Sequence, residues 1–492
     1  MELKREQLEQ LEKSELIEII LLMQQHIEVL EQQLQMQAAE LQQLKDQLAK
    51  DSRTSSKPPS SDGVKKKARQ PRSLRKQTGR NSGGQPGHSG RTLTQVTAPD
   101  HTEVHPVCVC PQCAADLQAV EAQRVERRQV FDIPPVRVEV TEHQAEVKTC
   151  PQCGSQVKGQ FPPDVTQPVQ YGNRIKAQAS YLNTYQLLPW ARVCELLDDF
   201  YGHEPAEALV QQANASVQAQ IVPSLNAIQQ LLLAAPVVHF DESGLRVECA
   251  LHWLHVASTA ELTYYIVHRK RGQDGMHAMG ILPFFTGQAM HDCWAPYFTF
   301  DTCNHALCNA HQLRDLLFIT EQYQQAWATD MSLLLLDIKA EIETLSPEAT
   351  LLPEDRVRYF EARYDEIVSQ GLAANPPPPE EPPAPKKRGR KKQSPPKNLL
   401  DRFQQRKSQI LAFMYDFRVP FDNNLAERDV RMIKVKQKVS GAFRTPSGAD
   451  TFCAIRSYIS TVRKHQRNVI GAIFDALTGH PFIPPTLLSQ DA

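Results

Sequence analysis

The sequence predicts a multidomain α+β protein: an N-terminal coiled coil, a small cysteine-rich ribbon, a helical module, and a mixed core broken by a helical insertion. Three observations predict it. Apolar residues recur every seven positions near the N-terminus, two C-P-Q-C pairs stand 36 residues apart, and short β-type runs alternate with helical ones after residue 229.

A chain of 492 residues allows several folding units and a sizeable core. Its net charge of −1 hides a local asymmetry: residues 1–50 hold ten acidic and five basic side chains, whereas 53–91 hold eleven basic and one acidic. A segment that basic points to a polyanionic partner, with nucleic acid foremost. No apolar run reaches membrane-spanning length, and the N-terminus is charged and Gln-rich, so neither a membrane span nor a signal sequence is expected. Four of the eleven cysteines sit in the two short pairs, a pattern that fits metal binding in a reducing cytoplasm better than a cross-linked secreted scaffold.

Residues 1–50 read as one long helix. Ile20, Ile27, Leu34, Leu41 and Leu48 repeat every seven, with Met23, Leu30 and Leu44 in the companion row and Gln37 interrupting it. That repeat keeps one seam facing a partner helix, so a homo-oligomeric coiled coil is expected. Residues 51–100, rich in Ser, Pro, Gly, Lys and Arg, bury too little to order alone and read as a basic arm, with Lys65, Lys66 and Lys67 as candidate phosphate contacts.

Within 101–165, Cys110-Pro-Gln-Cys113 and Cys150-Pro-Gln-Cys153 have the spacing of a four-thiolate structural Zn2+ site, with Arg137–Thr141 as a candidate ribbon strand. Cys108, His105 and His101 stand close enough to substitute as ligands, and a redox role for a C-x-x-C pair is the rival reading. Residues 166–228 read as helices. Arg192–Tyr201 stops at Gly202, and a second helix starts near Pro205, a helix-turn-helix-like pattern compatible with DNA contact.

Residues 229–375 read as the first part of the core plus the insertion. Val237–Phe240 ends on Asp241. Leu251–Ala257 and Leu262–His268 follow as strands, Gly275–Leu282 as a helix, Gln288–His291 as a strand leading to Asp292, and Ala306–Cys308 as a strand before a helix near His311. Helical text from Arg314 to Ser369 forms the insertion. Residues 376–397, with nine prolines and the run Lys386–Lys392, read as a linker. Its Arg388-Gly389-Arg390 core resembles a minor-groove hook, but Lys391 replaces the usual following proline, which favours plain phosphate contact. Residues 398–470 return to the core and 471–492 read as a tail. In Asp422-Asn423-Asn424-Leu425-Ala426-Glu427, the Asp/Asn run is a candidate N-cap that places Glu427 in the first turns of a helix.

Three acids at strand ends and a helix start suit phosphodiester chemistry. A few carboxylates hold two divalent cations about 4 Å apart, which activate the attacking oxygen and stabilise the leaving one. Hard oxygen ligands favour Mg2+ or Mn2+. Arg431, Lys434 and Lys438 share a helix face with Glu427, and with Arg428 they are candidate contacts to strand phosphates.

From end to end the chain resembles the large transposase of the sixty-six family of bacterial insertion sequences. The resemblance rests on Ser55–Asp62 (SSKPPSSD), Gly83–Gly90 (GGQPGHSG), the paired C-P-x-C motifs, Tyr185–Pro189 with Glu195-Leu196-Leu197, and Asp422–Arg428. It implies a ribonuclease-H-like core with a D-D-E triad of Asp241, Asp292 and Glu427, binding of the element's terminal repeats and target DNA, and small accessory proteins as partners. Some other transposases carry an Arg four residues before the third acid, where this chain has Asn423. Glu242 competes with Asp241 and Asp301 with Asp292 through small register shifts, and 134 residues separate Asp292 from Glu427. The rival reading is a non-catalytic zinc-containing DNA-binding regulator derived from a transposase, against which stand the intact acids in all three motifs.

Overall fold

The computed structural model describes residues 12–50, 92–345, 349–377 and 393–485. They fall into two compact units, one drawn from 1–67, 143–198 and 204–492, the other from 68–142 and 199–203. Lys65–Lys67, Arg388 and Arg390 lie outside the described residues.

In the first unit, α1 (Lys13–Ala49) is the expected long helix. Its seam stands largely in solvent, with Ile20, Ile27, Leu34 and Leu41 each more than half exposed. Its C-terminal end is anchored: Asp46 accepts a hydrogen bond from the Tyr323 hydroxyl, and Ala49 packs on the helical insertion. The ribbon hairpin is β1 (Val147–Thr149) antiparallel to β2 (Gln156–Lys158). In the second unit the alternating stretch 137–141 forms no strand, contrary to expectation; its side chains are almost all exposed, so alternation there has no core to face.

Four helices precede the sheet: α2 (Asn173–Ser180, followed by a π-helical turn to Tyr185), α3 (Trp190–Tyr201), α4 (Ala208–Gln220) and α5 (Val222–Ala234). Gly202, at φ +63, ends α3 as expected. The second helix begins later than Pro205. It also carries no charged residue, and its buried Val217 packs in one cluster with Ala177 of α2 and with Ile221.

The central sheet has strand order β5-β4-β3-β6-β7. β3 (Val237–Val247), β4 (Ala250–Ser258) and β5 (Thr263–His268) form an antiparallel meander. After α6 (Gln273–Met279) and a 3-10 turn, β6 (Gln288–His291) pairs parallel with β3, and β7 (Asn304–Leu307) pairs parallel with β6. The first strand runs past Asp241 to Val247, farther than expected. The polar residues that look like its end are interior, paired residue by residue with β4 from His239↔Ser258 to Val247↔Ala250. Its hairpin is a two-residue turn at Glu248–Cys249, both at positive φ, braced where Glu248 N donates to Phe443 O.

The insertion comprises α7 (Asn309–Tyr323), α8 (Ala326–Thr344), α9 (Glu354–Ala374), α10 (Pro395–Gln405) and two short helices, α11 (Lys407–Ile410) and α12 (Ala412–Tyr415). Ser394 caps α10 through Lys397 N, with Pro395 and Pro396 in its first turn, so the proline-rich linker ends earlier than expected. The chain then forms α13 (Asn424–Ser440) and α14 (Pro446–Lys464). The expected tail instead holds α15 (Val469–Leu477), whose Ala472, Ile473 and Ala476 are buried against α14.

Both faces of the sheet are covered. Val238, Phe240 and Ala257 pack with Ile228 and Leu232 of α5 and with Met276 of α6. On the other face Leu245, Val247, Leu254 and Val256 pack under Ala426, Val430 and Ile433 of α13. The outer edge of β5 is closed by α14, whose Ser457 and Thr461 hydroxyls accept from Tyr265 N and Thr263 N.

Candidate active site

Strand alternation decides which acid of the Asp241-Glu242 pair faces the covering helix. Val238, Phe240 and Glu242 point to one face, while Asp241, Ser243, Leu245 and Val247 point to the face that α13 covers. Glu242 therefore turns away. Its carboxylate pairs with Arg271 at 2.7 Å and accepts from the Tyr297 hydroxyl at 2.6 Å. The Arg271 guanidinium in turn lies 4.0 Å from the centre of the Trp294 ring. Burial, reinforced by the nearby Asp292 charge, lifts Glu242 from 4.5 to about 7.

The parallel register of β3 and β6 ends at His239↔Met290, so two residues on, Asp241 and Asp292 stand level where the two strands part. Asp292 leaves β6 in a tight turn: its Oδ1 accepts from Trp294 N at 3.0 Å, and Cys293 takes φ +72. Behind it, fully buried His291 accepts from Cys293 N and lies 3.0 Å from His305, which reaches Phe300 O. Burial holds His291 well below its ordinary value, so this chain of rings is neutral scaffolding. Asp301 is exposed in the turn that enters β7, at the opposite end of the parallel strands from Asp292.

Glu427 lies in the first turn of α13 and is 15% exposed. The expected Asn cap is only half right. Asn423 holds the N-cap position but makes no capping bond to its own helix. Its side chain instead meets β3 beside Asp241, with Oδ1 2.7 Å from His239 Nδ1 and Nδ2 donating to Phe240 O at 2.8 Å. Its backbone N–H donates to Cys308 Sγ at the end of β7. An Arg at this position would have to bury its charge there, which explains the departure at Asn423.

The three acids thus come from β3, the end of β6 and α13. Asp241 is pushed well above the usual carboxylate range, first by burial, then by Glu242, with Asp292 and Glu427 adding to it. The charges of Glu242, Asp292 and Glu427 all act on half-buried Asp241, a setting that a divalent cation would relieve. Among the described residues one group of metal-capable side chains has its donor atoms all within 4.8 Å, and it is Cys308, His311 and Glu427, without Asp241 or Asp292.

Of the expected phosphate contacts on α13, Arg428 and Lys438 are exposed. Arg431 lies 3.5 Å from Glu427, and Lys434 donates to Gly244 O on β3. Sequence reasoning missed Arg314, 4.0 Å from Glu427, and His311, 3.8 Å away. The C-x-x-H spacing of Cys308 and His311 at a strand-to-helix junction was the available signal.

The two cysteine pairs share one local form. Cys110 N donates to Ala115 O and Ala114 N to Cys110 O, while Cys150 N donates to Ser155 O and Gly154 N to Cys150 O. Ala114 and Gly154 both take positive φ, 57° and 71°. Backbone hydrogen bonds at Gln112 lower the Cys110 thiol, and the Ser155 hydroxyl lowers Cys153, as suits metal-binding thiolates. Cys108, His101 and His105 lie outside the turn.

Comparison with known families gives three matches. Residues 168–451, more than half of the chain, match the Transposase IS66 family. Residues 108–154 match the zinc-finger binding domain of transposase IS66, and residues 3–94 match a family of unknown function (DUF6444). No curated protein matches the chain.

Two outcomes follow from the geometry. Asn423→Ala strips partners from His239 and Phe240 O, and should lower unfolding stability by about 3 kcal/mol in urea titrations. Because Glu242 binds its proton more tightly folded than unfolded, it favours folding below 4.5, and that contribution is lost as pH rises to about 7. Urea midpoints of Glu242→Gln measured across that window should fall less with rising pH than those of the parent.

Proposed function

This chain belongs to the IS66 family of transposases, and from that membership we propose that it binds the ends of a bacterial insertion sequence and cleaves and transfers DNA strands at Asp241, Asp292 and Glu427. The observation that carries the reading is that Asp241 on β3 and Asp292 just past the end of β6 each follow the last β3–β6 pair, His239↔Met290, by two residues, with Glu427 on the helix covering the Asp241 face. An antiparallel meander followed by two parallel strands, in the order β5-β4-β3-β6-β7, supports a ribonuclease-H-like core.

The three carboxylates would hold Mg2+ or Mn2+, which supplies activation of the attacking oxygen and stabilisation of the leaving one. Asp241, rigid within a paired strand, and Asp292, fixed by its turn, keep their carboxylates oriented. Arg314 and Arg431 flank Glu427, where the phosphates of the cleaved strand would lie, and exposed Arg428 and Lys438 extend that cationic side. The basic segments with Lys65, Lys66, Lys67, Arg388 and Arg390 add non-specific phosphate contacts. Cys110, Cys113, Cys150 and Cys153 are the ligands we assign to structural Zn2+, in a domain that contacts DNA. The exposed heptad seam of α1 forms a homo-oligomeric coiled coil. Small accessory proteins of the same element are further partners, and the site of action is the bacterial nucleoid.

No described helix is long and apolar enough to cross a membrane.

The decisive test is strand nicking and joining on oligonucleotides copying the element's ends, with magnesium. Asp241→Asn should lose activity on the order of a thousandfold while still binding DNA, the scale of removing a group that stabilises transition-state charge. Nicking unchanged in that variant would remove the catalytic assignment, and DNA binding by the parent without nicking would favour the regulator reading. Chelating zinc should weaken end binding by roughly tenfold or more, and unchanged binding would contradict the role given to the cysteines. Leu34→Lys should convert the oligomer to smaller species in sedimentation experiments.

A further inference from the structure

β7 ends at Leu307, α7 begins at Asn309, and Cys308 between them is fully buried. His311 follows in the first turn of α7, so the i, i+3 spacing turns thiol and imidazole toward one side of the junction. Facing them from α13 is Glu427. One donor atom from each of the three lies within 4.8 Å of the others.

Two of those atoms lack a hydrogen-bond partner among the described residues: His311 Nδ1 and Glu427 Oε1, both shielded from solvent. They stand 3.8 Å apart, too far for a hydrogen bond. That separation lies within the span of two ligands bound to one ion at about 2.1 Å each. The other carboxylate oxygen is already engaged by Arg431 and approached by Arg314, so Oε1 is the oxygen aimed at the imidazole. Cys308 Sγ accepts the Asn423 N–H at 3.1 Å, the kind of donor that steadies a metal-bound thiolate. Leaving two facing polar atoms buried without partners is unfavourable, and a shared cation removes that penalty.

We infer that Cys308, His311 and Glu427 form a binding position for one divalent transition-metal ion of the cobalt, zinc or manganese class. Sulfur and imidazole beside a single carboxylate select against magnesium, which prefers an all-oxygen shell. Glu427 thereby serves both this ion and the carboxylate site. The inference deepens the proposed reaction and rests on it for the second role of Glu427.

The test uses the full-length protein with its zinc already bound, titrated with Co2+ and followed by visible and near-ultraviolet absorption. One cobalt beyond the zinc should bind with ligand-field bands and a sulfur-to-cobalt charge-transfer band. Cys308→Ser, nearly isosteric and still able to accept the Asn423 amide, should keep the cobalt and lose the charge-transfer band. His311→Gln should weaken cobalt binding by roughly tenfold to a hundredfold, and excess Mg2+ should not displace the ion from the parent. Identical cobalt spectra and affinity in the parent and both variants, or ready displacement by Mg2+, would overturn the site. Cobalt uptake at His311 in a protein that nicks no DNA would leave this site standing and remove the reaction, and nicking without such uptake would do the reverse.

Discussion

The buried side chain of Asn423 is the contact on which the arrangement of the acids depends. Its amide bonds both His239 and Phe240 of β3, immediately before Asp241, and its backbone N–H reaches Cys308 at the end of β7. Next to it, Asn309 N donates to Phe421 O and the Asn309 side chain reaches Ile410 O. These bonds close the neck of the helical insertion, so the chain leaves the sheet and returns to it at one place. A long excursion between fixed ends adds little closure entropy once its ends are held, which is how 134 residues fit between Asp292 and Glu427 without separating them in space. The insertion is also no loose loop, because α7 to α12 share one core with Met290, Ala306 and Leu307 of the sheet.

With the neck closed, the two faces of β3 take different tasks. The Asp241 face lies under α13, whose Val430 and Ile433 fill the space between sheet and helix. The Glu242 face receives Arg271, Tyr297 and, behind them, the rings of Trp294 and Trp253. Buried Glu242 has a direct cationic partner and half-buried Asp241 does not among the described residues. An acid compensated by its own protein suits a scaffold, whereas an uncompensated one suits the metal site proposed for it.

Much of this was legible in the residues, and for definite reasons. The heptads of α1, the meander of β4 and β5, the short β6 ending at His291 and the helix carrying Glu427 all follow from local periodicity and capping chemistry. What local pattern could not reach was contact between distant segments. Polar Asp241-Glu242-Ser243-Gly244 looks like the end of a strand, but pairing with Leu254 and Trp253 keeps it inside one. Asn423 reads as a helix cap, but its side chain serves a strand more than 180 residues away in sequence. Residues 471–492 look like a tail until Ile473 and Ala476 find α14. His311 and Arg314 gain meaning only because the neck brings α7 beside α13.

In the proposed reaction, acids far apart in sequence hold divalent metal in one place. Iron-directed cleavage of the protein backbone tests it most directly: Fe2+ replaces Mg2+, ascorbate and peroxide generate hydroxyl radicals at the bound ion, and the chain is cut where it lies nearest. Cuts should cluster around Asp241, Asp292 and Glu427, and those around Asp241 and Asp292 should be suppressed by excess Mg2+. Cuts that spare the segments around Asp241 and Asp292, or that magnesium does not suppress there, would contradict it.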